Sequence, residues 1–196
     1  MKSSTSWAVA LLAAAIGAAG GYWYGLRTQS DAYAERAMTR ASALASTDGP
    51  AVTATPGNTN ALFSATLDDL QGQPINLAKY KGKTLIVNFW ASWCPPCIAE
   101  MPGLSRFYTD HASNRVQMLG IAIDNPSSVR NFLKDHPVSY PVLLGGMDGT
   151  DLSTKLGDGQ GGLPFTVVID QHGRIVYQHL GQTSYEALQT IVSGNP

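Results

Sequence analysis

Cysteine is nearly missing from this chain: its 196 residues include two, Cys94 and Cys97. There is no second CxxC, and His111, His136, His172 and His179 form no HxxxH pair. A zinc half-site at the thiols would need two more ligands, and no regular spacing supplies them. Charge is scarce too. Charged residues make up 14% of the chain, the formal net charge is -1, and Lys and Arg do not cluster. That excludes the electrostatic footprint of a nucleic-acid-binding protein. Hydrophobic residues make up 44%, enough at this length to bury one ordinary core. No internal repeat is visible.

Charge is absent altogether from the twenty residues Trp7 to Leu26, a run long enough as a helix for a hydrocarbon core of about 30 Å. Lys2 precedes the run, Trp7 opens it, and Tyr22-Trp23-Tyr24 close it where interfacial aromatics would lie. Residues 1–27 therefore read as an uncleaved membrane anchor. The alternative is a cleaved signal peptide, suggested by Ala18-Ala19-Gly20, although the run is longer than a usual signal core. Either one exports the rest of the chain to an oxidising compartment. Residues 28–61 read as a linker. Thr28 to Thr47 is Ala-rich and suits a short helix, whereas Asp48 to Asn60 has no periodicity and suits a flexible tether.

The two cysteines lie in Trp93-Cys94-Pro95-Pro96-Cys97, directly after the apolar run Leu85-Ile86-Val87-Asn88-Phe89-Trp90. The run reads as a buried strand and the residues after Cys97 as a helix. Cys94 then stands at a helix N-terminus, where backbone N–H groups and the helix dipole stabilise an anion. It is the candidate nucleophile, and Cys97, one turn on, is the candidate resolving thiol. A purely structural disulfide is the alternative.

The folded unit is expected over residues 62–196. A small hairpin spans Phe63 to Leu77 with its turn at Gln71-Gly72-Gln73-Pro74. Strands follow at Thr84 to Phe89, Val116 to Ile123, Val142 to Leu144, Phe165 to Asp170 and Arg174 to Leu180. Helices are expected from Pro95 to His111, Ser127 to Asp135 and Ser184 to Val192, with a helical turn at Asp151 to Leu156. The order is β-α-β and then β-β-α, a mixed α/β domain.

With its strand, CxxC turn and helix, and a later Gly162-Leu163-Pro164 before a hairpin, the chain resembles the thioredoxin superfamily. The stretch Val87 to Pro102 is most similar to membrane-tethered, extracytoplasmic TlpA/ResA-like thiol–disulfide reductases. The resemblance implies a thioredoxin-like fold, a central mixed β-sheet flanked by helices, with the Phe63 to Gly82 hairpin as an N-terminal addition. It implies a redox-active Cys94–Cys97 disulfide and a cis Pro164 packed opposite it. The Leu163 backbone would face outward to pair with an extended client. Trp93, Pro95 and Pro96 complete the docking surface, while Trp90 belongs to the core. Asn88 stands where cytoplasmic thioredoxins carry a buried acid, and an amide cannot manage the Cys97 proton. Glu100, three residues after Cys97, is the acid that members of this type often carry; the alternative is a solvated helix carboxylate. Pro164-Phe165-Thr166 lacks the acid of the Pro-Glu-Thr sequence in the cytochrome-c maturation branch.

The expected activity is reduction of disulfides in exported proteins, apocytochrome c and an oxidase copper-site protein among the candidates, with electrons from a membrane thiol relay. The expected location is the bacterial inner membrane, with a single N-terminal pass and the catalytic domain in the periplasm. No cofactor and no metal are implied. Three other activities remain open. A thiol oxidase or isomerase would use the same dithiol, because direction follows reduction potential. A peroxidase would need a Thr-x-x-Cys nucleophile, which Ser92 and Trp93 do not match. A copper carrier would pair the thiols with His172 or His179, though such relatives space their cysteines more widely.

Overall fold

The computed structural model describes residues 58–113 and 115–194. The expected anchor at 1–27 and most of the expected linker lie outside them. Among the described residues no helix is long and apolar enough to cross a membrane.

The described residues open with a short helix, α1 (Thr59–Ser64), and a hairpin of β1 (Thr66–Asp69) and β2 (Pro74–Asn76). Gly72 closes the hairpin turn with φ +80°, a backbone state that glycine adopts freely. A 3-10 turn at Leu77–Tyr80 leads into β3 (Thr84–Trp90), then α2 (Pro95–His111), β4 (Val116–Ala122) and α3 (Pro126–Asp135). Next come β5 (Val142–Leu144), α4 (Gly146–Lys155), β6 (Phe165–Ile169), β7 (Ile175–Leu180) and α5 (Tyr185–Gly194).

The seven strands form one sheet in the order β2-β1-β5-β4-β3-β6-β7. β3 pairs in parallel with β4 and antiparallel with β6, so it lies inside the sheet and every residue of it is buried. The hairpin adds two edge strands by pairing β1 antiparallel with β5. Alternation along β3 divides the core. Leu85, Val87 and Phe89 join one apolar cluster with Leu62, Phe63 and Leu152. Ile86 and Trp90 join the other, with Met101, Leu104 and Phe107 of α2 and Leu188 of α5. Asn88 shares the parity of Ile86 and Trp90, so the sheet turns its amide toward α2. Gly120 on β4 has room for no side chain, because a Cβ there would lie 2.8 Å from the Tyr140 ring.

Three expectations need correction. The folded unit starts by Asn58 rather than Leu62: the Asn58 N–H donates to the Lys155 carbonyl, and the Thr59 hydroxyl donates to the Gly173 carbonyl. Phe63 belongs to α1, not to the hairpin, because α1 seats Leu62 and Phe63 in the core. The helical turn expected from Asp151 is the end of a ten-residue helix starting at Gly146. Its glycines at 146 and 149 hid it, since glycine lowers helix propensity. Gly149 is kept for packing, with Ile121 and Ile123 against its backbone.

Candidate active site

β3 ends at Trp90, and four residues later the chain enters α2 through Cys94. Cys94 is extended (φ -98°, ψ 101°) and caps the helix, its Sγ accepting from the Cys97 N–H at 3.3 Å. Pro95 and Pro96 occupy the first turn, where the missing N–H groups would have no helical partner. Cys94 and Cys97 are joined as a disulfide with Cα atoms 5.3 Å apart. Cys94 is 3% exposed and Cys97 fully buried, so an incoming group meets Cys94 first. In the dithiol form the same helix N-terminus faces the Cys94 sulfur and favours its thiolate. The turn is braced from β4's end: Asp124 accepts from both the backbone N–H and the hydroxyl of Ser92.

A groove of about 540 Å³ opens beside Cys94. Trp93, Pro95 and Pro96 form one side, and Ile123 and Leu163 add apolar surface. Trp93 is 66% exposed, while Trp90 is wholly buried. The Leu163–Pro164 peptide bond is cis and precedes β6. Trp93, Cys94, Pro95, Pro96 and Leu163 therefore converge on one surface.

Glu100 is elsewhere. It sits on the sheet-facing side of α2, 6% exposed, and borders a second cavity of about 430 Å³ with Arg106, Gln182 and Tyr185. Its Oε1 accepts from Asn88 Nδ2 and its Oε2 from the Thr183 N–H, each at 2.7 Å. Asn88 also donates to Thr166 Oγ1 at 3.1 Å, and these two residues lie opposite each other across β3 and β6. Burial pushes the Glu100 carboxyl up to about 7, although the Thr183 and Asn88 donors pull it down. The Tyr140 hydroxyl is pushed up by its own burial and by the Glu100 charge. The solvated-carboxylate alternative is excluded. Glu100 is a buried acid one helical turn past Cys97.

Sequence reasoning missed the far wall of the groove, made of Thr150 and Ser153 on α4 and of Asp158. The one available signal was Gly157-Asp158-Gly159, a turn sequence in which an aspartate caps nearby N–H groups. It also missed Thr183, whose backbone rather than side chain binds Glu100.

The redoxin family profile matches residues 45–191. A protein of Halalkalibacterium halodurans named thiol-disulfide oxidoreductase ResA is 32% identical over 118 residues, 59% of this chain and 64% of that protein. The ResA of Bacillus cereus is also 32% identical, over 124 residues, 62% of this chain and 68% of its own. The match thus spans roughly two thirds of these relatives. Among solved structures, a thiol:disulfide interchange protein of the thioredoxin family from Chlorobium tepidum superposes with TM-score 0.61 at 31% identity, covering 67% of this chain and 92% of that one. A thioredoxin-related protein from Neisseria meningitidis gives 0.58 at 35% identity, covering 66% and 97%. The mixed sheet flanked by helices is thus a thioredoxin-like fold. From its sheet order, its CxxC helix cap and these matches, the chain belongs to the redoxin family.

Proposed function

We propose that this protein is an extracytoplasmic thiol–disulfide oxidoreductase that reduces disulfides in exported proteins. The observation that carries the reading is the Cys94–Cys97 disulfide at the N-terminus of α2, with Cys94 on a groove and Cys97 behind it. The relatives named thiol-disulfide oxidoreductase support it.

The Cys94 thiolate attacks one sulfur of a client disulfide. A mixed disulfide forms and the first client sulfur leaves as a thiolate. Cys97 then loses its proton, with Glu100 as the acceptor, and attacks Cys94 Sγ. The Cys94–Cys97 disulfide forms, the second client thiolate departs, and the client has gained two electrons. A membrane dithiol relay returns two electrons to the pair. Trp93, Pro95, Pro96 and the Leu163–Pro164 segment hold the client. The uncharged run Trp7 to Leu26 supports anchoring in the bacterial inner membrane with the domain in the periplasm. Apocytochrome c and oxidase copper-site proteins fit as clients of such a domain.

The test is a Cys97→Ala chain expressed in its host, which stops the reaction at the mixed disulfide. Exported proteins should appear joined to Cys94 on non-reducing gels and be released by dithiothreitol. An absence of such adducts, with the variant folded and exported, would remove the reading.

A further inference from the structure

The groove beside Cys94 holds one ionisable residue besides the cysteine itself. Asp158 is 3% exposed, the same as Cys94, and so is no less reachable than the sulfur a client must meet. Its two oxygens differ. Oδ1 accepts from the backbone N–H groups of Gln160 and Gly162, each at 3.3 Å, which ties down the loop leading to Leu163. Oδ2 has only the Ser153 hydroxyl nearby, at 3.5 Å. That hydroxyl has a single hydrogen, and the Thr150 carbonyl, closer at 2.9 Å, competes for it. Among the described residues, then, Oδ2 is held by one long hydrogen bond, shared with a competing acceptor.

A buried carboxylate oxygen held by one long, shared hydrogen bond is weakly satisfied, and a ligand that brings a shorter, charged donor improves on it. Pro95, Pro96, Ile123 and Leu163 in the same lining present apolar surface and no side-chain donor. Asp158 is the one acidic side chain in this lining, so a cationic group of the client finds its partner there.

We infer that Asp158 is a specificity-determining residue whose Oδ2 accepts a hydrogen bond from a Lys or Arg side chain flanking the client half-cystine. The inference rests on the groove being the client-docking surface. The apolar wall seats the client backbone and the stem of the long cationic side chain, and the charged head reaches Asp158.

The test uses pre-reduced full-length protein and two disulfide-linked peptide dimers, Gly-Cys-Arg-Gly and Gly-Cys-Glu-Gly, beside neutral hydroxyethyl disulfide. At low salt kcat/KM should favour the Arg dimer roughly ten-fold, the ratio that about 1.4 kcal/mol corresponds to, and the difference should lie in KM. The ratio should shrink as salt rises. Asp158→Asn keeps an oxygen for Gln160 and Gly162 but not the charge, and should bring the ratio close to one. Equal use of both dimers by the unaltered protein would overturn the inference, whether or not the variant folds, as would a full preference surviving in Asp158→Asn. Failure to reduce hydroxyethyl disulfide at all would overturn the reductase reading together with it.

Discussion

Asn88 donates to Glu100 Oε1 at 2.7 Å from the centre of the sheet, so the amide that cannot itself titrate holds the acid that can. The buried acid of cytoplasmic thioredoxins would stand at position 88. Here the titratable group lies on α2, and the strand position supplies its hydrogen bond. The second donor, the Thr183 N–H, ties the same carboxyl to the entry of α5.

Stability should record this burial. Glu100 titrates at about 7 in the fold against 4.5 for an unperturbed carboxyl. Between those values the native state keeps a proton that the unfolded chain has lost, so stability from this group falls as pH rises. The fall should reach about 3 kcal/mol at most and be complete by about pH 8. Denaturant unfolding of the wild type and Glu100→Gln from pH 4 to 8 measures it as the difference between the two curves. A difference that does not vary with pH would mean that Glu100 titrates alike in the folded and unfolded chain, and that its burial leaves its pKa where it was.

The proton role predicts a kinetic signature of its own. Glu100→Gln keeps the shape and loses the titration. Its rate of insulin reduction should fall most above pH 7, where the wild-type carboxylate can accept the Cys97 proton, by roughly ten-fold or more. Superimposable pH profiles would assign that proton to water.

Alkylation separates the two thiols. Reduced protein treated with iodoacetamide at mildly acidic pH should be labelled at Cys94, whose sulfur faces the helix N-terminus. Peptide mapping that finds Cys97 labelled first would exchange their roles.

A chain starting at Asn58 should fold as a soluble domain with a sharp unfolding transition. Starting it at Ala65 deletes α1, with buried Leu62 and Phe63, and should cost about 3 kcal/mol or more. Circular dichroism and thermal melts of the two chains test this; equal stability would make α1 dispensable.

Much of this was legible in the sequence. Strands β3 to β7 and the helix after Cys97 follow from apolar runs and end signals, because buried strands and capped helices leave strong local patterns. The cysteine pair was legible because its spacing and its place after a strand are both local. The rest depended on distant contacts. Nothing near Glu100 announces that Thr183, far along the chain, donates to it. The partner of Asn88 across the sheet, Thr166, is fixed by strand register. The first turn of α4 was not legible because Gly146 and Gly149 lower helix propensity, and the packing of Gly149 against Ile121 and Ile123 is a distant contact that propensity cannot register.

Electron balance in a closed mixture tests the dithiol reaction most directly. Pre-reduced full-length protein, freed of other thiols, is mixed with excess insulin, and both partners are analysed by mass spectrometry. One insulin disulfide should open for each Cys94–Cys97 disulfide formed, and Cys94→Ser should open none. Insulin left intact beside a fully reduced Cys94–Cys97 pair, or cleavage persisting in Cys94→Ser, would contradict it.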